Sequence, residues 1–222
     1  MLKTLVAMFA LVTLSPVCAQ QTGASYARMV VIVPRQGQAE AFGKGYERHL
    51  QWHRGAHDPW TWYGWTFVLG NRINRFMDGT FGHAAADFDA AVQPAADAAD
   101  NNVNVTPYAD FVSHGIYQRM DAMGTGDPLP DASPFLSVTT YHIRPGQEAA
   151  FEQAVARERG AAPRQTWYRL QAGGEAPQYV LMRAVASFGA AATLGTPYTL
   201  SGLVDRVDNE LLRYRPNLSY RP

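Results

Sequence analysis

The chain has 222 residues, 19 Lys+Arg against 19 Asp+Glu, 47% hydrophobic residues, 12% aromatics and one cysteine. Zero net charge excludes the basic footprint of a nucleic-acid binder or a polybasic membrane-surface protein, and one cysteine excludes a disulfide framework or a cysteine-built zinc site. With 17% charged residues the chain is neither disordered nor a coiled coil, and it is long enough to bury a real core.

Lys3 precedes an apolar run, Leu5 to Leu14 (LVAMFALVTL), that is about half the ~20 residues a bilayer-spanning helix needs. Pro16 breaks it, and Val17 and Ala19 put small residues where a signal peptidase reads. Residues 1–19 are therefore expected to be a signal peptide, cleaved before Gln20, with the mature protein periplasmic or secreted. A lipid-modified Cys18 would want Leu at the position of Ser15 and a small residue in place of Val17, so the soluble exported form is preferred. No later stretch is long and apolar enough to span a membrane.

Arg28 to Pro34 is a β-branched run stopped by proline, hence a strand. Gln38 to Arg54 carries Phe42, Tyr46, His49, Leu50 and His53 at helical spacing and ends at Gly55. Pro59 to Gly70 and Asn74 to Phe81 form a hairpin around Gly70-Asn71-Arg72. His83 to Asp97 reads as an alanine-rich helix strained at Pro94, and Val112 to Met120 as a closing strand. After the Gly/Pro-rich stretch Gly124 to Pro134, strands are expected at Phe135 to Arg144, Gln165 to Gln171, Gln178 to Val185 and Arg213 to Tyr220. Helices are expected at Glu148 to Arg159, Phe188 to Leu194 and Leu203 to Leu212.

The chain is written twice. Thr61-Trp62-Tyr63 recurs as Thr166-Trp167-Tyr168, Thr80-Phe81-Gly82 as Ser187-Phe188-Gly189, and Gly37-Gln38 followed by Phe42 as Gly146-Gln147 followed by Phe151. Three anchors in one order, at offsets of 105, 107 and 109, define a tandem repeat. The expected units are 26–120 and 135–222 with a linker at 121–134, each of order β-α-β-β-α-β, the split βαβ or ferredoxin-like unit.

On that repeat the chain resembles the dimeric α+β-barrel superfamily, whose members pair two such units sheet to sheet, some within one chain. The resemblance implies an α+β fold of two tandem ferredoxin-like units forming an intrachain barrel with a cavity between the sheets. The superfamily includes cofactor-free monooxygenases of the antibiotic-biosynthesis type, haem-degrading enzymes and chlorite-dismutase-like haem proteins, so it implies no single reaction. In the haem proteins the iron-binding histidine sits on a helix of the second unit, where this chain has only His142, on an expected strand.

The two copies differ where chemistry could sit. Trp52, Trp60, Trp62 and Trp65, four of the five tryptophans, fall in the first copy, as do five of the six histidines. Trp52, Trp60, Trp62, Tyr63, Trp65 and His53 are thus the candidate lining of a pocket for a small aromatic or apolar molecule, equally readable as core. Along the Trp60 to Leu69 strand, Trp60, Trp62 and Val68 are expected on one face and Tyr63, Trp65, Phe67 and Leu69 on the other. His49 and His53, four apart on a helix with His57 and Asp58 beyond, have metal-ligand spacing but no His-Glu-x-x-His signature, and a hydrogen-bonded core role is preferred. His83, read at a helix start with Asp87 one turn on, is the candidate catalytic base, with helix capping as the alternative.

No phosphate loop, nucleophile elbow or dinucleotide fingerprint is present, and no cofactor is expected. The expected partner is a small apolar or aromatic molecule, not nucleic acid or a membrane; self-association is left open. The favoured reading is a cofactor-independent pocket protein. An oxygenase or lyase using His83, a haem or metal enzyme, and a structural module without ligand are the alternatives.

Overall fold

The computed structural model describes residues 25–195, 198 and 200–222. The segment read as an export signal lies outside the described residues. Eight strands, β1 (Tyr26–Pro34), β2 (Tyr63–Leu69), β3 (Phe76–His83), β4 (Ala109–Arg119), β5 (Phe135–Ile143), β6 (Thr166–Ala172), β7 (Gln178–Val185) and β8 (Val204–Tyr214), form a closed antiparallel barrel in the order β1-β3-β2-β8-β5-β7-β6-β4. Helices α1 (Ala39–Gly55), α2 (Pro94–Asn104), α3 (Glu148–Glu158) and α4 (Phe188–Thr193) are joined to it in sequence.

Each repeat supplies four adjacent strands, β4-β1-β3-β2 and β8-β5-β7-β6, and the two sheets close on each other through β2–β8 and β4–β6. Closure leaves neither repeat an open edge. The repeat reaches the turns: Gly37 and Gly146 both have positive φ (76° and 84°) with open space around a notional Cβ, so backbone conformation requires glycine there. Arg35 and Arg144, at matching points, pair with Asp110 and Asp205.

Alternation along the strands divides the apolar residues. Met29, Val31, Trp65, Phe67, Met77, Val138, Tyr168, Val180 and Leu212 pack inside the barrel. Val30, Ile32, Trp62 and Phe76 face outward onto Phe42, Tyr46 and Leu50 of α1, and Tyr141, Trp167, Tyr179 and Leu181 onto Phe151 and Val155 of α3. Trp62 and Trp65 therefore lie on opposite faces of one sheet, as the period-2 reading of that strand expects.

Three elements differ from the sequence reading. The expected helix His83 to Asp97 is a 3-10 turn at Ala85–Ala90 followed by α2, because Pro94, which has no N–H to give, begins a helix rather than sitting inside one. His83 accordingly ends β3. Leu203 to Leu212, whose apolar residues fit helical spacing, is mostly strand β8, and the expected strand Arg213 to Tyr220 is only the end of β8 followed by a 3-10 turn at Pro216–Leu218. Pairing with β5 and β2 closes the barrel and overrides the local pattern.

Candidate functional site

The barrel interior is packed at one end and hollow at the other. At the packed end the Tyr63 and Trp65 rings stack 5.5 Å apart, with Phe81 edge-on to both and Tyr214 tilted against them. At the other end lies a cavity of about 510 Å3 with Met29, Val31, Met77, Val138 and Val180 among its lining. Eight strands enclose just enough space for one small ligand when side chains leave part of it unfilled.

The polar lining of this cavity comes mostly from the second repeat. Glu210 is buried at 3% exposure and accepts from Arg72 Nε (2.7 Å), the Arg72 guanidinium NH2 and the Arg72 backbone N–H (3.0 Å). Arg72 also lies 4.5 Å over the Phe67 ring. Arg206 donates to His142 Nε2 (2.6 Å) and to Asp208 (3.0 Å). An arginine can only donate, so His142 accepts there and is neutral. Burial and then Arg206 hold its pKa below the ordinary value, against Glu175 and Asp208. The Tyr117 hydroxyl, which donates to Gln178 Oε1 (3.4 Å), and Thr140 add to the polar set.

The opposite face of the first sheet, beneath α1 and α2, holds a second polar group around a cavity of about 240 Å3. His49 and His53 are both 5% exposed, their rings 4.8 Å apart. His49 Nδ1 meets Asp100 at 2.8 Å and His53 Nδ1 meets Asp58 at 2.7 Å, while both Nε2 atoms face Asp97, at 3.3 and 3.8 Å. Burial pushes the Asp58 carboxyl up, but hydrogen bonds from His53, the Trp62 indole (2.8 Å) and the Trp60 N–H (2.9 Å) outweigh it and hold it below its ordinary pKa. Asp78, buried beside them, is raised by burial despite the Tyr46 hydroxyl that donates to it at 2.7 Å.

The sequence candidates divide among these places. Trp52 stacks on His49 (6.1 Å, 8°) and meets His53 edge-on, and Trp62 and His53 share Asp58, so these belong to the helix-side group. Tyr63 and Trp65 fill the packed end of the barrel. Trp60 lies between, its ring 4.4 Å from His83. His57, exposed and at φ 54°, stands outside the His49–His53 group. His83 bonds Thr80 Oγ1 at 2.5 Å and packs against Trp60 and Phe88; burial lowers its pKa. Asp87, 3.9 Å from His83 Nδ1, accepts from the Ala84 N–H at 2.8 Å and so caps the 3-10 turn. Sequence reasoning missed Asp97 and Asp100, which only α2 brings to the histidines. It also missed the charged cavity residues of β8, whose inward period of two was hidden beneath a helical apolar spacing.

The haem that the resemblance implies for some members does not fit the second repeat. Helix α3 (EAAFEQAVARE) has no histidine, and Tyr141, Phe151, Val155, Trp167, Tyr179 and Leu181 pack solidly beneath it.

No family model and no curated protein matches the chain. Solved structures do. A protein from Fusobacterium nucleatum assigned as a monooxygenase matches with TM-score 0.60 at 8% identity, over 90% of this chain and 99% of its own. A mutant chlorite dismutase from Candidatus Nitrospira defluvii matches with TM-score 0.57 at 10% identity, over 87% and 92%. An anthrone oxidase-like protein matches with TM-score 0.54 at 12% identity, over 86% and 91%. The chain has the fold of the dimeric α+β-barrel superfamily, with both ferredoxin-like units in one chain.

Proposed function

We propose that this is an exported small-molecule-binding protein that takes an aromatic or apolar molecule into the hollow end of its barrel, without a cofactor. The observation that carries the reading is the cavity of about 510 Å3, within the ~300–1,000 Å3 range of small-ligand sites. Its apolar wall (Met29, Met77, Val138, Val180) suits the body of the ligand. Thr140, Gln178, Tyr117 and Arg206 suit a polar end. The neighbours' names span monooxygenase, chlorite dismutase and anthrone oxidase, so a shared container supports binding and does not select a reaction.

The test uses 1-anilinonaphthalene-8-sulfonate, an aromatic body with one anionic group. The protein should bind it near 1:1 with enhanced fluorescence, and Val138→Trp and Met77→Trp, which fill the cavity, should each lose most of that signal while keeping native circular dichroism. Unchanged binding in both filled variants sinks the reading. Export rests on residues 1–19 and is tested separately by fractionating cells expressing the full chain. Recovery only with the cytoplasm refutes it.

A further inference from the structure

We propose that His49, His53 and Asp97 hold one divalent first-row transition metal ion in the cavity between α1, α2 and the outer face of the first sheet. The argument starts from protons. Asp58 and Asp100 are carboxylates and can only accept, so His53 and His49 each carry a proton on Nδ1, and in the neutral imidazole the lone pair is then on Nε2. Both Nε2 atoms then point at Asp97 Oδ1, another acceptor, at 3.3 and 3.8 Å. Asp97 Oδ1, Asp78 Oδ1 and Asn101 Oδ1 are buried without a hydrogen-bond partner, and all three residues line this cavity with the two histidines. Against these acceptors the same lining offers the Arg28 guanidinium, whose Nε is also buried without a partner; one guanidinium does not match the set, and a metal ion between the two Nε2 atoms and Asp97 balances it.

The spacing fits a metal. The candidate ligand atoms of His49, His53 and Asp97 all lie within 4.8 Å of one another. Metal bonds of about 2.0–2.1 Å place tetrahedral ligands about 3.4 Å apart. The His49–Asp97 pair at 3.3 Å already has that edge, and the His53–Asp97 pair at 3.8 Å needs only a small turn of Asp97, which sits in the first turn of α2. Two imidazoles and one carboxylate suit zinc, ferrous iron, cobalt or copper rather than magnesium or calcium. Asp58 and Asp100 are positioning residues, fixing each imidazole's tautomer and angle, as carboxylates behind metal-bound histidines do. The site is separate from the barrel cavity, since the whole sheet lies between them.

The experiment uses full-length protein without a histidine tag, stripped with chelator and titrated with Co2+ and then Zn2+. Wild type should take up one equivalent of Co2+ with visible d–d absorption, Zn2+ should displace it, and Zn2+ should raise the melting temperature. Asp97→Asn, on a side chain 28% exposed, should keep native circular dichroism and weaken affinity by at least about tenfold. Asp58→Asn, which leaves all three ligands in place, should weaken it by about 10–100-fold. Absence of stoichiometric Co2+ uptake by wild type would mean that protons occupy both Nε2 atoms, and the proposal fails. It fails equally if Asp97→Asn binds Co2+ as tightly as wild type. Binding of the naphthalene probe in the barrel should be the same with and without metal, so the two readings stand or fall separately.

Discussion

The Arg72 guanidinium, on the turn between β2 and β3 of the first repeat, is clamped on the buried Glu210 carboxylate of β8 in the second. The pair is lopsided: the Glu210 side chain is 1% exposed and that of Arg72 is 29% exposed. Removing Arg72 leaves a charge stranded in the barrel, whereas removing the Glu210 charge leaves a guanidinium that can turn to water. Arg72→Met should therefore cost about 3 kcal/mol, lowering the melting temperature by roughly 6–12 °C, and Glu210→Gln about 1 kcal/mol. Urea unfolding of both variants checks this. Equal losses would show that the asymmetry of burial does not govern the pair.

Two glycines in one helix should respond oppositely to the same change. A Cβ on Gly43 meets nothing within 4 Å, while one on Gly45 would stand 1.8 Å from the Asn104 carbonyl oxygen of α2. Gly43→Ala should stabilise the protein by about 0.5–1 kcal/mol through helix propensity alone. Gly45→Ala must push α2 away from α1, at a cost of roughly 1–3 kcal/mol. Because α2 carries Asp97 and Asp100, the same variant should bind Co2+ less tightly than Gly43→Ala. A Gly45→Ala protein as stable as wild type would mean that the helices are not held in this close contact.

The legible part of the fold was whatever repeats or alternates. Strand β7 runs over Gln178–Val185 as its β-branched and aromatic pattern predicts, and the placing of Trp62 outside and Trp65 inside follows from alternation alone. The illegible part was whatever depends on closure. Arg206, Asp208 and Glu210 fall in the stretch expected to be helix, because nothing local says that the hollow barrel end will supply Arg72, Asn71 and His142 as partners. The histidine pair was visible as i, i+4 spacing, but Asp100, 51 residues from His49, reaches it only because Pro94 starts a new helix. The tryptophan cluster read as one pocket is divided by the sheet it lies on.

His83 should prove a packing residue. Its ring sits against Trp60 at 4.4 Å and Phe88 at 5.5 Å, and it lines neither the barrel cavity nor the one beneath α1. His83→Gln should cost about 1–2 kcal/mol in stability through the lost contacts and the Thr80 bond. Affinity for the naphthalene probe should stay within about twofold, since the residue lies outside the cavity. A large loss of probe binding with stability intact would return His83 to the ligand site.

His142 should make stability fall on mild acidification. Burial, then the guanidinium of Arg206, holds its imidazole below the ordinary pKa, with Arg72 acting the same way and Glu175 and Asp208 opposing. In the unfolded chain a histidine takes its proton near pH 6.5; the folded His142 takes it only at lower pH. Between those two values the unfolded state binds more protons, so stability rises with pH across the window and is lost as pH drops below about 6.5. His83 and His114, also lowered first by burial, contribute with the same sign. Replacing His142 with Gln should thus remove part of the decline between about pH 7.5 and about pH 5.5, seen as a smaller shift in the urea midpoint. The effect comes from a neutral imidazole that accepts from Arg206, so Arg206→Gln should raise the His142 pKa, readable from its NMR titration. A steeper acid decline in His142→Gln, or an unmoved titration in Arg206→Gln, would show that His142 is not held neutral by this pairing.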